Sequence, residues 1–91
     1  MTESQYKLIL FISGMSVKSS HAIENLQNIC EEFPEKKMKF DIIDIREERE
    51  KAAQYQIFVV PTLIKISPAP TRTILGDLSD KEKVLKILEL V

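Results

Sequence analysis

Residues 57–66 read Ile57-Phe58-Val59-Val60-Pro61-Thr62-Leu63-Ile64-Lys65-Ile66, an apolar run cut by a proline and then resumed. Alternation from Thr62 to Ile66 predicts a β-strand, and Pro61 is tolerated at a strand's opening position. An X-Pro bond is the one peptide linkage for which the cis isomer is cheap, so Val60–Pro61 admits either isomer. Downstream, Ser67-Pro68-Ala69-Pro70 is a stiff connection. Arg72-Thr73-Ile74-Leu75 follows as a short strand, expected antiparallel to the one before it, and Gly76-Asp77 carries turn chemistry. Ser79-Asp80-Lys81-Glu82 has the S-x-x-E form of a capping box. Val84, Leu85, Ile87, Leu88 and Val91 then give the apolar stripe of a terminal helix.

Upstream, Tyr6 to Ile12 reads YKLILFI, closed by Ser13-Gly14. So continuous a run suggests a strand buried on both faces. Ser16 can cap a helix whose stripe is Ala22, Ile23, Leu26, Ile29, Cys30 and Phe33, and Pro34 ends it. Phe40 to Ile45 reads as a second strand, too apolar for a one-sided antiparallel edge and therefore parallel to the first through a right-handed crossover. Arg46 to Gln56 is dominated by charge, with Glu47 and Glu48 early, as in a short solvated helix. The resulting order, β-α-β-α-β-β-α, is that of an α/β thioredoxin-like domain with one four-stranded mixed sheet. In that arrangement a cis-proline opens the third strand opposite the N-terminus of the first helix, where Pro61 stands. An ordinary trans proline at a strand start is the alternative.

Ninety-one residues fit a single domain spanning 1–91. A hydrophobic content of 44% is enough to offset ordering entropy. Thirteen basic against fourteen acidic residues give a net charge of −1, which argues against a nucleic-acid partner. The single Cys30 excludes a disulfide framework and a multi-cysteine metal site. The polar Met1-Thr2-Glu3-Ser4-Gln5 start carries no leader signature, and no apolar run approaches about 18 residues. A cytoplasmic protein with no membrane partner is the expectation.

A thioredoxin-type dithiol needs C-x-x-C at the first helix N-terminus, and Ser16-Val17-Lys18-Ser19 stands there instead. Cys30, on the apolar stripe, reads as a core residue rather than a reactive thiol. His21 lacks a second ligand for a metal. Asp41 and Asp44 lack a His or Ser to complete a catalytic constellation. Ser16, Ser19 and Ser20 with Lys18 suit capping better than anion binding. The residues therefore point away from an enzyme: no catalytic residue, metal or cofactor is expected.

At Gly14, Asp44, Pro61-Thr62-Leu63, Lys65, Pro68-x-Pro70, Arg72 and Gly76-Asp77-Leu78-Ser79, with Glu82-Lys83-Val84-Leu85 behind, the chain resembles the KaiB family. Less closely it resembles the sensor domain of the clock-output histidine kinase SasA. The resemblance covers nearly the whole chain, and PTLIKISPAPTRTILGDLSDKEKVL is its most specific stretch. It implies a non-enzymatic binding protein that docks on KaiC, a RecA-like ATPase, in a bacterial timing or stress-response system. A histidine kinase is a further implied partner, and self-association as a dimer or tetramer is implied too.

The resemblance also implies a metamorphic second half, thioredoxin-like in one form and β-α-β-β-α-α-β overall in the other. Pro61, Pro68 and Pro70 match positions whose isomers differ between the forms. Ile87 stands where cyanobacterial members have glycine. Isoleucine is the better helix former, so the thioredoxin-like form is expected to be favoured. The acidic tail typical of those members is not expected after Val91. Lys65 and Arg72 match basic, partner-facing positions. Gln56, with His21 and Asp41, stands where cyanobacterial members tend to carry Arg or Lys, which should slow association with an acidic ring. A thiol-binding protein using Cys30 and an adaptor unconnected with KaiC are the competing readings.

Overall fold

A computed structural model describes residues 6–91, so the Met1–Gln5 start lies outside the described residues. Four strands and three helices follow in the expected order. They are β1 (Lys7–Ile12), α1 (Val17–Glu32), β2 (Lys39–Asp44), α2 (Arg49–Gln54), β3 (Thr62–Ser67), β4 (Arg72–Leu75) and α3 (Lys81–Ile87), with a 3-10 turn at Pro34–Lys36. They form one sheet of order β2-β1-β3-β4. β1 pairs parallel with β2, while β1–β3 and β3–β4 are antiparallel. This is the thioredoxin-like arrangement, not the β-α-β-β-α-α-β alternative. Val60–Pro61 is cis, as are Ser67–Pro68 and Ala69–Pro70.

The central position of β1 explains its composition. Leu8, Leu10 and Ile12 point into a core shared with Leu26, Ile29, Leu63, Val84 and Leu88, while Ile9 and Phe11 pack on the other face with Ile43 and Ile64. A strand with neighbours on both edges and apolar side chains packed over both faces has no polar side left. α1 starts where expected: the Ser16 hydroxyl accepts the Ser19 N–H at 3.1 Å, satisfying one of the free donors of the first turn. Pro34 opens the 3-10 turn that ends it.

Three local expectations change. β2 is an edge strand, and only Ile43 along it is buried; Phe40 packs against one core and Ile43 and Ile45 against the other, while Ile42 is exposed. The cap of α3 is Asp80, whose carboxylate accepts the Lys83 N–H at 3.3 Å, while the Ser79 N–H donates to Asp77 Oδ1. The cap thus sits one residue beyond the predicted Ser79, because Asp77 draws Ser79 into the preceding turn. Val91 is exposed, and Leu90 fills the core position instead. Ile87 is the last residue of α3 and packs half-buried against the core.

Candidate interaction surface

The sheet's topology brings three separate segments to one end. β1 runs toward Ile12, and antiparallel β3 starts beside it, with Phe11 opposite Thr62. β4 finishes beside Thr62, with Leu75 opposite. The loop entering α1, the segment before Pro61 and the end of β4 therefore meet. Five of the seven large apolar side chains exposed among the described residues sit there: Met15, Val17, Phe58, Val59 and Leu75. Phe58 is 90% exposed. Isolated exposed apolar residues are ordinary, but several gathered at one end mark an interaction site.

That end is rigidly framed. The Asp44 carboxylate at the end of β2 accepts the Gly14 N–H at 3.2 Å, the Arg46 N–H at 2.9 Å and the Arg46 guanidinium at 3.0 Å. Gly14 has φ +63, a left-handed conformation that favours glycine; a Cβ there would meet the movable end of the Arg46 side chain, with Cζ at 2.9 Å. Hydrogen bonds from the Arg46 side chain and backbone hold the Asp44 carboxyl below the usual carboxylate range. Because the folded pKa is depressed, the ionised contact stabilises the fold above the ordinary carboxylate pKa of about 4 and is lost as pH falls through the folded value. Asp44→Asn should therefore weaken the chain at neutral pH and flatten its acid limb. Urea midpoints from pH 7 down to pH 3 check this; parallel pH profiles for both proteins would refute it.

Of the expected partner-facing residues, Gln56 and Arg72 are exposed. Gln56 has φ +57 directly after α2, with Ile57 N–H bonded to Ala52 O, the left-handed helix stop usually given to glycine. It lines a cleft with Thr73 and Leu75. Arg72 lies on the face of β4 that carries Ile74, because side chains alternate along a strand. The structure thus places Gln56 and Arg72 on opposite faces of the sheet.

Lys65 corrects a prediction. Its side chain is 0% exposed, and its Nζ has no hydrogen-bond partner. The ammonium lies 3.9 Å from Glu89 Oε1 and 5.8 Å from the centre of the Tyr6 ring. Thr62, Leu63, Ile64 and Lys65 are all buried, because β3 has β1 and β4 on its edges, α1 and α3 over one face and Tyr55, Ile57 and Val60 packed on the other. In this fold Lys65 cannot touch a partner. Phe58, Val59 and Leu75 are exposed instead; the sequence signal for Phe58 and Val59 was the apolar run before Pro61, which lies outside any strand and so has no prescribed buried side.

Chemistry finds little purchase elsewhere. Burial, and after it the Glu31 charge, pushes the Cys30 thiol up, so thiolate is scarce at neutral pH. Among the described residues no group of three or more His, Cys, Asp or Glu could hold a metal ion. No helix among them is long and apolar enough to cross a membrane.

A KaiB domain model matches residues 9–90. "Circadian clock protein KaiB3" from Synechocystis sp. is 42% identical over 91 residues, covering 100% of this chain and 89% of that protein. "Circadian clock oscillator protein KaiB" from Microcystis aeruginosa is 40% identical over 86 residues, covering 94% of this chain and 83% of the relative. Among solved structures, the N-terminal domain of Synechococcus elongatus SasA superposes with a TM-score of 0.81 at 21% identity, over 100% of this chain and 90% of that domain. Fasciola hepatica thioredoxin reaches 0.75 at 16% identity, over 93% and 80%; both are likenesses of fold. With the family model spanning nearly all of the chain and clock proteins aligned along it at 40% identity and above, this chain belongs to the KaiB family.

Proposed function

We propose that this protein is a clock-type regulator that works by docking, in its thioredoxin-like form, on a KaiC-type RecA-like ATPase of a timing or stress-response system. The observation that carries the reading is the gathering of Met15, Val17, Phe58, Val59 and Leu75, exposed, at one end of the sheet. Exposing these side chains to water gives up about 25 cal/mol for each Å² of apolar surface left uncovered. A partner that covers them recovers it. The scarce thiolate at Cys30 supports binding over thiol chemistry. Gln56 sits at the rim of the apolar end, and Arg72 lies across the strand edge, where its charge can steer an acidic partner.

The test is co-sedimentation of the purified chain with a KaiC-type ATPase ring, with and without ATP. Phe58→Asp should weaken binding tenfold or more while leaving the melting temperature unchanged, because a side chain this exposed contributes little to the fold. Arg72→Glu should mainly slow association and reduce its salt dependence. Binding by Phe58→Asp equal to that of the parent would refute the proposed face. Failure of the parent chain to bind in either nucleotide state would refute the partner and leave an adaptor of another kind.

A further inference from the structure

We propose that the open edge of β4 is a strand-docking site for an extended, uncharged peptide segment with apolar side chains at alternate positions. The proposal rests on reading the chain as an interaction module, though not on the identity of the ATPase. β4 is the last strand of the sheet. Gly76 N–H bonds Pro61 O at 2.9 Å, and continuing that antiparallel alternation turns the backbone groups of Ile74 and Arg72 toward β3. Those of Thr73 and Leu75 point outward.

Natural sheets blunt such edges with charge, proline or bulges. The opposite edge obeys this rule, since β2 exposes Lys39 and Asp41. β4 does not. Its register with β3 is regular from Thr62–Leu75 to Lys65–Arg72, and Thr73 and Leu75 bring neither charge nor proline. Beside the edge lies a cleft of about 350 Å³ between the end of β4 and the segment before Pro61, lined by Gln56, Phe58, Val59, Thr73 and Leu75 among others. None of its lining residues is charged, in a chain that is 30% Asp, Glu, Lys and Arg.

Those features select the occupant. A strand added to β4 would bond Thr73 and Leu75 through its backbone and drop every second side chain into the cleft, the mode in which main-chain bonds give affinity and alternate pockets give specificity. A charged side chain there would lose hydration without meeting an opposite charge. The edge is four residues, about 13 Å, long. That suits a short peptide and falls well short of the roughly 800 Å² per partner that two folded copies bury in a stable interface.

The experiment titrates ¹⁵N-labelled protein with a capped hexapeptide alternating threonine and valine, following amide shifts and hydrogen exchange. Saturable shifts at Thr73 and Leu75, with exchange of their amides slowed tenfold or more, are expected. A capped hexapeptide alternating threonine and glutamate should leave both unmoved. Thr73→Pro removes an outward N–H and should abolish the response. Leu75→Lys keeps the N–H, puts charge in the cleft, and should weaken binding at least tenfold. Shifts confined to β2, full binding by both variants, or no response at millimolar peptide would each overturn the proposal. ATPase co-sedimentation, run in parallel, reads the proposed function separately.

Discussion

Leu88→Ala should lower the stability of the fold by about 2–5 kcal/mol, the range for truncating a fully buried leucine. Leu88 is 0% exposed and is the C-cap of α3, its N–H bonding Val84 O at 2.9 Å. A helix of seven residues is far below the roughly 12–15 needed to persist alone, so α3 exists because Val84, Leu88 and Leu90 are buried on the sheet. A chain of this length has about 5–14 kcal/mol in all, and the lost methylenes therefore remove a large share of it. Urea unfolding should show the drop, and hydrogen exchange should show α3 amides losing protection first. A change below 1 kcal/mol would mean that α3 is held by something other than this side chain.

Lys65→Met should have the opposite sign and raise stability by about 1–3 kcal/mol. The ammonium is entirely removed from water and has no hydrogen-bond partner, a state whose effective cost runs to several kcal/mol. Two contacts offset part of that. Glu89 Oε1 at 3.9 Å is on a half-exposed side chain, so its attraction is largely screened. The Tyr6 ring at 5.8 Å is near the outer limit for a cation–π contact worth about 1–2 kcal/mol. Desolvation wins. Methionine keeps the length and volume of the stem while removing the charge, and its flexible thioether fits irregular space. Paired urea titrations decide the matter: a destabilised Lys65→Met would show that Glu89 and Tyr6 together outweigh burial. Glu89→Gln, which leaves the ammonium without a counter-charge, should move in the destabilising direction.

Much of the architecture could be read from residues alone. YKLILFI announced a strand covered on both faces, Ser16 and Pro34 bracketed α1, and Pro61 marked the opening of β3. Each of these signals is local, depending on φ restriction, capping or side-chain period within a few residues. The candidate surface was less legible. Gln56 and Arg72 were marked by the family resemblance, but their separation to opposite faces depends on how β4 is registered against β3. Phe58 was visible only as one member of an apolar run.

Composition and periodicity by themselves determined the element order, the strand boundaries to within a residue, and the absence of a C-x-x-C dithiol, while α2 and α3 are shorter than the pattern implied. Only the tertiary structure decided that Lys65 is sealed inside, that β2 lies at a sheet edge with Ile42 exposed, and that Phe58, Val59 and Leu75 stand together in water. Side-chain period reports the conformation of a segment. Exposure depends on what distant segments cover it, and nothing within ten residues of Lys65 encodes the arrival of Tyr6 and Glu89 over its ammonium.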